Sequence, residues 1–383
     1  MSFPFPPGFL WGTATAAHQV EGGNWNSDWW AWEHNPESPC VEPSGDACDH
    51  LHRYPSDIRL LARLGFNTYR FSIEWARIEP EPGEWSQAWL DHYRRVVETC
   101  LSAGITPMVT FHHFTTPRWS AGWHEAETAD RFAEFCSWAA AGLVDVVDYA
   151  CTINEPNMVA LHGYRTGAFP PGRRDSALRR AVNEVFVDAH LKAGAALRAA
   201  SSSLQVGLTL AMQETVGDES RVAAILRDTE DVFLEACRGD DFLGVQTYTR
   251  VRVGPDGLLP PEDGVETTMM GYEFRPSALE ATLRRAWEYL EGGVPLIVTE
   301  NGIATEDDTR RIAFVEEALA GVQRCLADGI DVRGYVYWSA LDNFEWAYGY
   351  RPTFGLIAVD RETFERRPKP SAEWLGRVAS AVD

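Results

Sequence analysis

Two carboxylates stand where the sequence passes from β-rich to helix-like character. Glu155 follows the run VVDYACTIN and is succeeded at once by Pro156, while Glu300 ends PLIVTE and is succeeded by Asn301 and Gly302. Proline lacks an amide hydrogen and suits the first turn of a helix, so the strand-like run must end at Glu155. Two carboxylates on either side of a pocket suit cleavage of a glycosidic bond. One protonates the leaving oxygen, and the other stabilises or attacks the oxocarbenium-like centre. Each negative charge raises the pKa of the other, which keeps the acid protonated near neutrality. Either Glu taken alone could instead cap the next helix or pair with an arginine; the two at corresponding places favour a shared pocket.

The elements that would position them follow a repeating pattern of amphipathic helix, glycine and β-rich run. Residues 86–103 place Trp89, Leu90, Tyr93, Val96, Val97, Cys100 and Leu101 on one helical face, stop at Gly104 and continue as ITPMVTF. Eight strand-like runs emerge, at 9–16, 66–72, 105–111, 146–153, 205–211, 242–248, 295–300 and 334–339. A helical pattern follows each of them, at about 53–64, 86–103, 128–143, 175–200, 219–238, 276–291, 309–328 and 370–381. Strands apolar on both faces, each followed by a helix, describe a closed parallel barrel better than an open sheet. The fold class expected is therefore α/β, a single (β/α)8 TIM barrel over residues 1–383. PDGLLPPEDG, at 255–264, reads as a surface loop. In such barrels functional groups collect at the carboxyl ends of the strands. Those ends here carry Arg70, His112, His113, Asn154, Glu155, Tyr248, Glu300, Asn301 and Trp338.

TINEP at 152–156 and VTENG at 298–302 resemble the acid/base and nucleophile motifs of glycoside hydrolase family 1, the β-glucosidase and β-glycosidase family. The resemblance runs from FLWGTATAAHQVEG through YRFSIEWARIEP and TFHHFTTPRW to YWSALDNFEWAYGY and FGLIAVD, essentially the whole chain. It implies a retaining, exo-acting β-glycosidase, most naturally a β-glucosidase. Glu155 would be the general acid/base and Glu300 the nucleophile, with their carboxyls ~5 Å apart. It implies further that Asn154 binds the sugar 2-hydroxyl and that Arg70 and Tyr248 hold Glu300. Gln19 and His113 would bind the 3- and 4-hydroxyls, Glu345 and Trp346 would grip the far side of the sugar, and Trp338 would lie under the ring. No cofactor and no metal are implied. Glu345 itself would repel a phosphate, so neutral β-glycosides or oligosaccharides are the expected substrates.

Three departures from the family pattern stand out. Gln246 and Thr247 precede Tyr248 where many relatives have Asn-Tyr, Phe114 stands where many have Trp, and the connection 212–241 is short and reads as one compact helical unit. Shortened loops alter the entrance of a barrel rather than its core. They suggest an open aglycone site with broad tolerance of leaving groups.

Bulk properties exclude other classes. With 34 basic and 56 acidic residues the net charge is −22, which disfavours nucleic acid and anionic lipid surfaces as partners. No apolar run is long enough to span a bilayer, and MSFPFPPGFLWG has no secretory-signal pattern. Seven scattered cysteines suit reduced buried thiols, and together these point to the cytoplasm. Competing readings remain: a β-galactosidase, β-fucosidase or transglycosylase on the same scaffold, and a non-catalytic sugar-binding barrel. A metal-dependent hydrolase could draw on the H-x-H pair His50 and His52 with His112, His113 and His162.

Overall fold

The structure, a computed structural model, describes residues 5–381 apart from 144 and 256. Eight strands close into an all-parallel barrel in which, apart from the closing pair, every neighbour is also a neighbour in sequence. They are β1 (Leu10–Ala14), β2 (Thr68–Ser72), β3 (Thr106–His112), β4 (Tyr149–Asn154), β5 (Gln205–Ala211), β6 (Phe242–Gln246), β7 (Leu296–Asn301) and β8 (Val332–Trp338). Closure comes from β1 pairing with β8 on one side, Leu10 to Gly334 through Ala14 to Trp338, and with β2 on the other.

Helices form an outer ring where capping and apolar spacing call for them. Ser86, Asp175 and Asp307 cap Gln87–Ser102, Ser176–Ala200 and Asp308–Ala327, their side-chain oxygens accepting from backbone amides in the first turn. The first barrel helix, His50–Leu64, stops at Gly65, whose φ of 103° is left-handed. The main core lies between strands and helices, built from residues such as Val97, Phe132, Val182, Leu283 and Val322.

Inside the barrel the lining changes along the axis. Leu10, Met108, Cys151, Phe242 and Ile297 form an apolar plug. Two or more residues further along the same strands come Thr110, Asn154, Gln246 and Glu300, joined by Arg70 and Thr209 in a hydrogen-bonded layer. The polar layer therefore lies toward the carboxyl ends, as the sequence pattern anticipates.

Some expectations need correction. The 255–264 segment is not wholly loop: Gly257–Leu259 pairs with Arg250–Gly254, which pairs in turn with Glu214–Gly217, giving a small three-stranded sheet. The 212–241 connection is consequently not one helical unit. It opens with the strand Glu214–Gly217, and its helix is broken into Glu219–Leu226, a π-helical turn at Arg227–Asp231 and Val232–Ala236. Short strands flanked by Gly and Pro leave too little periodicity to be recognised. All seven cysteines are unpaired thiols, and no helix among the described residues is long and apolar enough to cross a membrane.

Candidate active site

Both carboxylates sit at irregularities in the barrel. The pairing of β4 with β5 shifts register between Cys151 and Asn154, and that of β7 shifts between Val298 and Glu300. Such bulges re-aim side chains at a strand end. Glu155 then adopts φ 44° and ψ 57°, and its amide donates to the Thr209 carbonyl at 2.8 Å. Left-handed backbone is costly for a residue with a Cβ, and the residue before a proline normally prefers extended geometry. The chain thus turns sharply at Glu155 into the helix Pro156–Leu161. On β7, Gly302 solves a different problem: a Cβ there would lie 2.1 Å from the Trp338 carbonyl oxygen, so only glycine lets the ends of β7 and β8 approach this closely.

Arg70 organises the polar layer from β2. Its Nη1 donates to Glu300 Oε1 at 2.6 Å, its Nη2 to Asn154 Oδ1 at 2.5 Å and to Thr209 Oγ1 at 3.2 Å, and its Nε to Thr110 Oγ1 at 3.1 Å. The other Glu300 oxygen accepts from the Tyr248 hydroxyl at 2.6 Å. Asn154 is held equally firmly, since its Oδ1 also accepts from Gln246 Nε2 at 2.9 Å and Thr209 Oγ1 at 3.1 Å. Its amide group donates to His113 Nε2 at 3.2 Å, an assignment that puts the ring proton on Nδ1. Burial, with Arg70 and His112 adding to it, holds His113 neutral, well below the usual imidazole pKa.

The two carboxyls differ in support. Burial first, then the charge of Glu300 and that of Glu345, pushes Glu155 well above the ordinary carboxylate range against the pull of Arg70. Glu300 is also raised by burial, but Arg70 and the Tyr248 hydrogen bond pull it back. Among the described residues no side-chain hydrogen bond restrains the Glu155 carboxyl, so Glu155 is the one that keeps its proton to higher pH. Glu345 is pushed up to about 8 by burial and by Glu300.

A cavity of about 580 Å³ at the mouth of the barrel brings together eight of the ten residues singled out from sequence: His113, Asn154, Glu155, Tyr248, Glu300, Trp338, Glu345 and Trp346. Trp338 stacks on His113 at 5.6 Å between ring centres. Trp346 packs on Trp29 and Phe114 at 4.5 and 5.0 Å. The other two do not line the cavity. Arg70 lies in the barrel interior behind Glu300, and Gln19, fully buried on the helix Ala17–Val20, donates its Nε2 to the Phe344 carbonyl beside Glu345 at 2.7 Å. Gln19 Oε1, His113 Nδ1, Gln246 Oε1 and Glu345 Oε2 are buried polar atoms without a protein partner. Buried polar atoms are usually satisfied, so this set offers hydrogen bonds to a polyhydroxylated ligand.

Sequence reasoning missed Gln246 as a contributor, treating it only as a departure. The signal was its parity with Tyr248, two residues on, at the end of β6. Two other strand-end residues do not reach the cavity. His112 packs edge-on against Trp123 and Phe132, and Asn301 is tied to the Thr247 carbonyl and the Tyr335 hydroxyl. The histidines considered as metal ligands are dispersed: His50 joins Asp57 at 2.8 Å and Tyr69 at 3.2 Å, while His52 pairs with Asp49 on the surface. Among the described residues the one His/Cys/Asp/Glu group compact enough to hold an ion is His190, Cys237 and Asp240, away from the cavity.

The sequence matches the glycosyl hydrolase family 1 profile over residues 1–238 and 241–383. The chain belongs to glycosyl hydrolase family 1. This family 1 enzyme is 37% identical to thermostable β-glucosidase B of Thermobispora bispora, over 98% of its own chain and 90% of the relative. It is 33% identical to a bifunctional β-D-glucosidase/β-D-fucosidase of Bifidobacterium breve, over 98% of each. The crystal structure of β-glycosidase BGL167 superposes with a TM-score of 0.92 at 50% identity, over 98% of this chain and 97% of that one. The match to the Thermobispora bispora protein runs over 435 positions, whereas this chain has 383 residues in all, so more than fifty positions have no counterpart here. The enzyme is shorter than that relative and, as its family dictates, a glycoside hydrolase.

Proposed function

We propose that the whole chain acts as one catalytic unit, a retaining, exo-acting β-glycosidase whose leading activity is that of a β-glucosidase. In the first step a Glu300 oxygen bonds to the anomeric carbon, the bond from that carbon to the aglycone oxygen breaks, and the Glu155 proton passes to the departing oxygen. In the second, the Glu155 carboxylate takes a proton from water, the water oxygen bonds to the anomeric carbon, and the ester to Glu300 breaks. The observation that carries this reading is the unequal support of two carboxyls in one cavity. Glu300 is gripped by Arg70 and Tyr248, while Glu155 is left to burial and like charge. Asn154, fixed by Arg70, Gln246 and Thr209, would meet the sugar 2-hydroxyl without reorganising, which favours the transition state.

His113, Gln19, Glu345 and Trp346 would bind the remaining hydroxyls over the Trp338 face, a neutral sugar being the ligand that three nearby carboxyls tolerate. A β-fucosidase activity on the same scaffold is the second reading, favoured by the bifunctional relative from Bifidobacterium breve. The seven unpaired cysteines suit a reducing compartment, and we place the enzyme in the cytoplasm on that basis. Release of nitrophenol from an aryl β-glucoside tests the activity. Wild type should turn over, and Glu300→Gln should lose about 10³-fold or more in kcat. An unaffected variant would remove Glu300 from the chemistry, and an inert wild type would favour the sugar-binding alternative.

A further inference from the structure

Eight large apolar side chains are exposed among the described residues, and four of them, Val41, Leu258, Tyr272 and Tyr348, line the mouth of the one cavity that holds Glu155 and Glu300. Leu258 is 68% exposed and Tyr348 55%, values unusual for side chains of this size in a cluster. Met158 and Met270 line the same cavity. Thioethers on flexible stems adapt to apolar ligands of varied shape. Among the described residues the only charged ones lining the cavity are Glu155, Glu300 and Glu345, which sit with the polar layer and the Trp338 face at its inner end. Among the described residues no Lys, Arg or Asp lines it. Outside that end, His162 is held neutral by burial, its pKa lowered to about 4.

The two ends of the cavity therefore ask for different chemistry. Hydroxyls of a sugar are matched at the inner end by His113, Gln246 and Glu345. Apart from Gln213, whose Oε1 is buried without a protein partner, a second sugar in the outer half would exchange its hydration mainly for contacts with Leu, Met, Val and aromatic carbon, a poor exchange for polar groups. Resting on the glycosidase reading above, we propose that the leaving-group half of the cavity recognises an apolar aglycone, an aryl or alkyl group, in preference to a sugar. The small sheet that carries Leu258 has the role of an apolar wall, and Leu258 and Tyr348 determine specificity rather than take part in the chemistry.

A series of ethyl, butyl, hexyl and octyl β-glucosides, kept below micelle formation, tests this with leaving groups of nearly constant acidity. The value of kcat/KM should rise about twofold per methylene, half of what full burial of that group would give. Hexyl glucoside should exceed cellobiose by about tenfold, and Leu258→Asp or Tyr348→Ala should cut the octyl-to-ethyl ratio several-fold, a quotient that does not depend on how much protein is folded. A flat series, a preference for cellobiose over hexyl glucoside, or a ratio indifferent to both substitutions would overturn the proposal. Turnover of ethyl glucoside with no chain-length dependence would sink this inference alone. Inertness toward every β-glucoside would bring down the glycosidase reading and this inference with it.

Discussion

Arg70 lies some two hundred positions before Glu300 in the chain, yet the site depends on their contact. The guanidinium gives Nη1 to Glu300 and Nη2 to Asn154, so one side chain orders a carboxylate and an amide that come from different strands. Tyr248 completes the grip on Glu300 with a hydrogen bond that favours its ionised form. That sets a pH prediction. The mechanism proposed for the two carboxyls needs Glu300 ionised and Glu155 protonated, so kcat/KM should rise as Glu300 loses its proton and fall as Glu155 loses its own. Because burial raises both and raises Glu155 further, the window should open above the usual carboxylate range and close at the higher value. Removing the Tyr248 hydroxyl removes a force that lowers the Glu300 pKa. The Tyr248→Phe variant should therefore shift the acidic limb of the kcat/KM profile to higher pH; an unmoved acidic limb would detach Tyr248 from Glu300. At this scale the sequence was legible where two features coincided, a strand end and a charged or amide side chain. His112 and Asn301 share the position but not the role, because their neighbours Trp123 and Tyr335 engage them away from the cavity.

Strands in this barrel are readable because both faces are buried, one on the plug and one on the helices, which leaves long apolar runs with little alternation. The run at 205–211 coincides with β5 residue for residue. What the runs do not encode is the register shift beside each carboxylate, since bulges depend on the partner strand as well as the local sequence. Nor could the 250–259 hairpin be read, with its two short strands and its Pro and Gly residues. Gly302 belongs to this scale. Adding a methyl group would force the ends of β7 and β8 apart at the Trp338 carbonyl, and Glu300 lies two residues away. Gly302→Ala should lower kcat by about 10²-fold in a protein whose thermal unfolding still shows a cooperative transition, since a displacement near 1 Å can cost that much. Wild-type kcat in that variant would mean that the strand ends have slack to spare.

The whole molecule is a family barrel with a closed ring of eight strands. The plug, the polar layer and the ring of helices are all present, and in such a barrel connections can shorten without touching packed residues. Its charge of −22 bears on solubility and on repulsion of polyanions, and a neutral glycoside does not feel it. Thiol chemistry offers a test of how closed the fold is. Six of the seven cysteines are buried and only Cys40 is partly exposed, its own thiol raised in pKa mainly by burial. An aromatic disulfide reagent should therefore find one thiol at most in the native protein and seven after unfolding in denaturant. Several fast-reacting thiols in the native state would contradict the packing described.

The central claim is that Glu300 forms a covalent bond with the sugar while Glu155 moves the proton. A 2-deoxy-2-fluoro-β-glucosyl fluoride tests it most directly, because the electron-withdrawing 2-fluorine slows both formation and hydrolysis of the intermediate while the good leaving group speeds formation alone, so that the intermediate accumulates. Mass spectrometry of the treated protein, followed by peptide mapping, should find one fluorosugar per chain, attached to the peptide that contains VTENG and to Glu300 within it. A label on Glu155, or steady turnover of β-glucosides by a protein that never acquires a label, would contradict it.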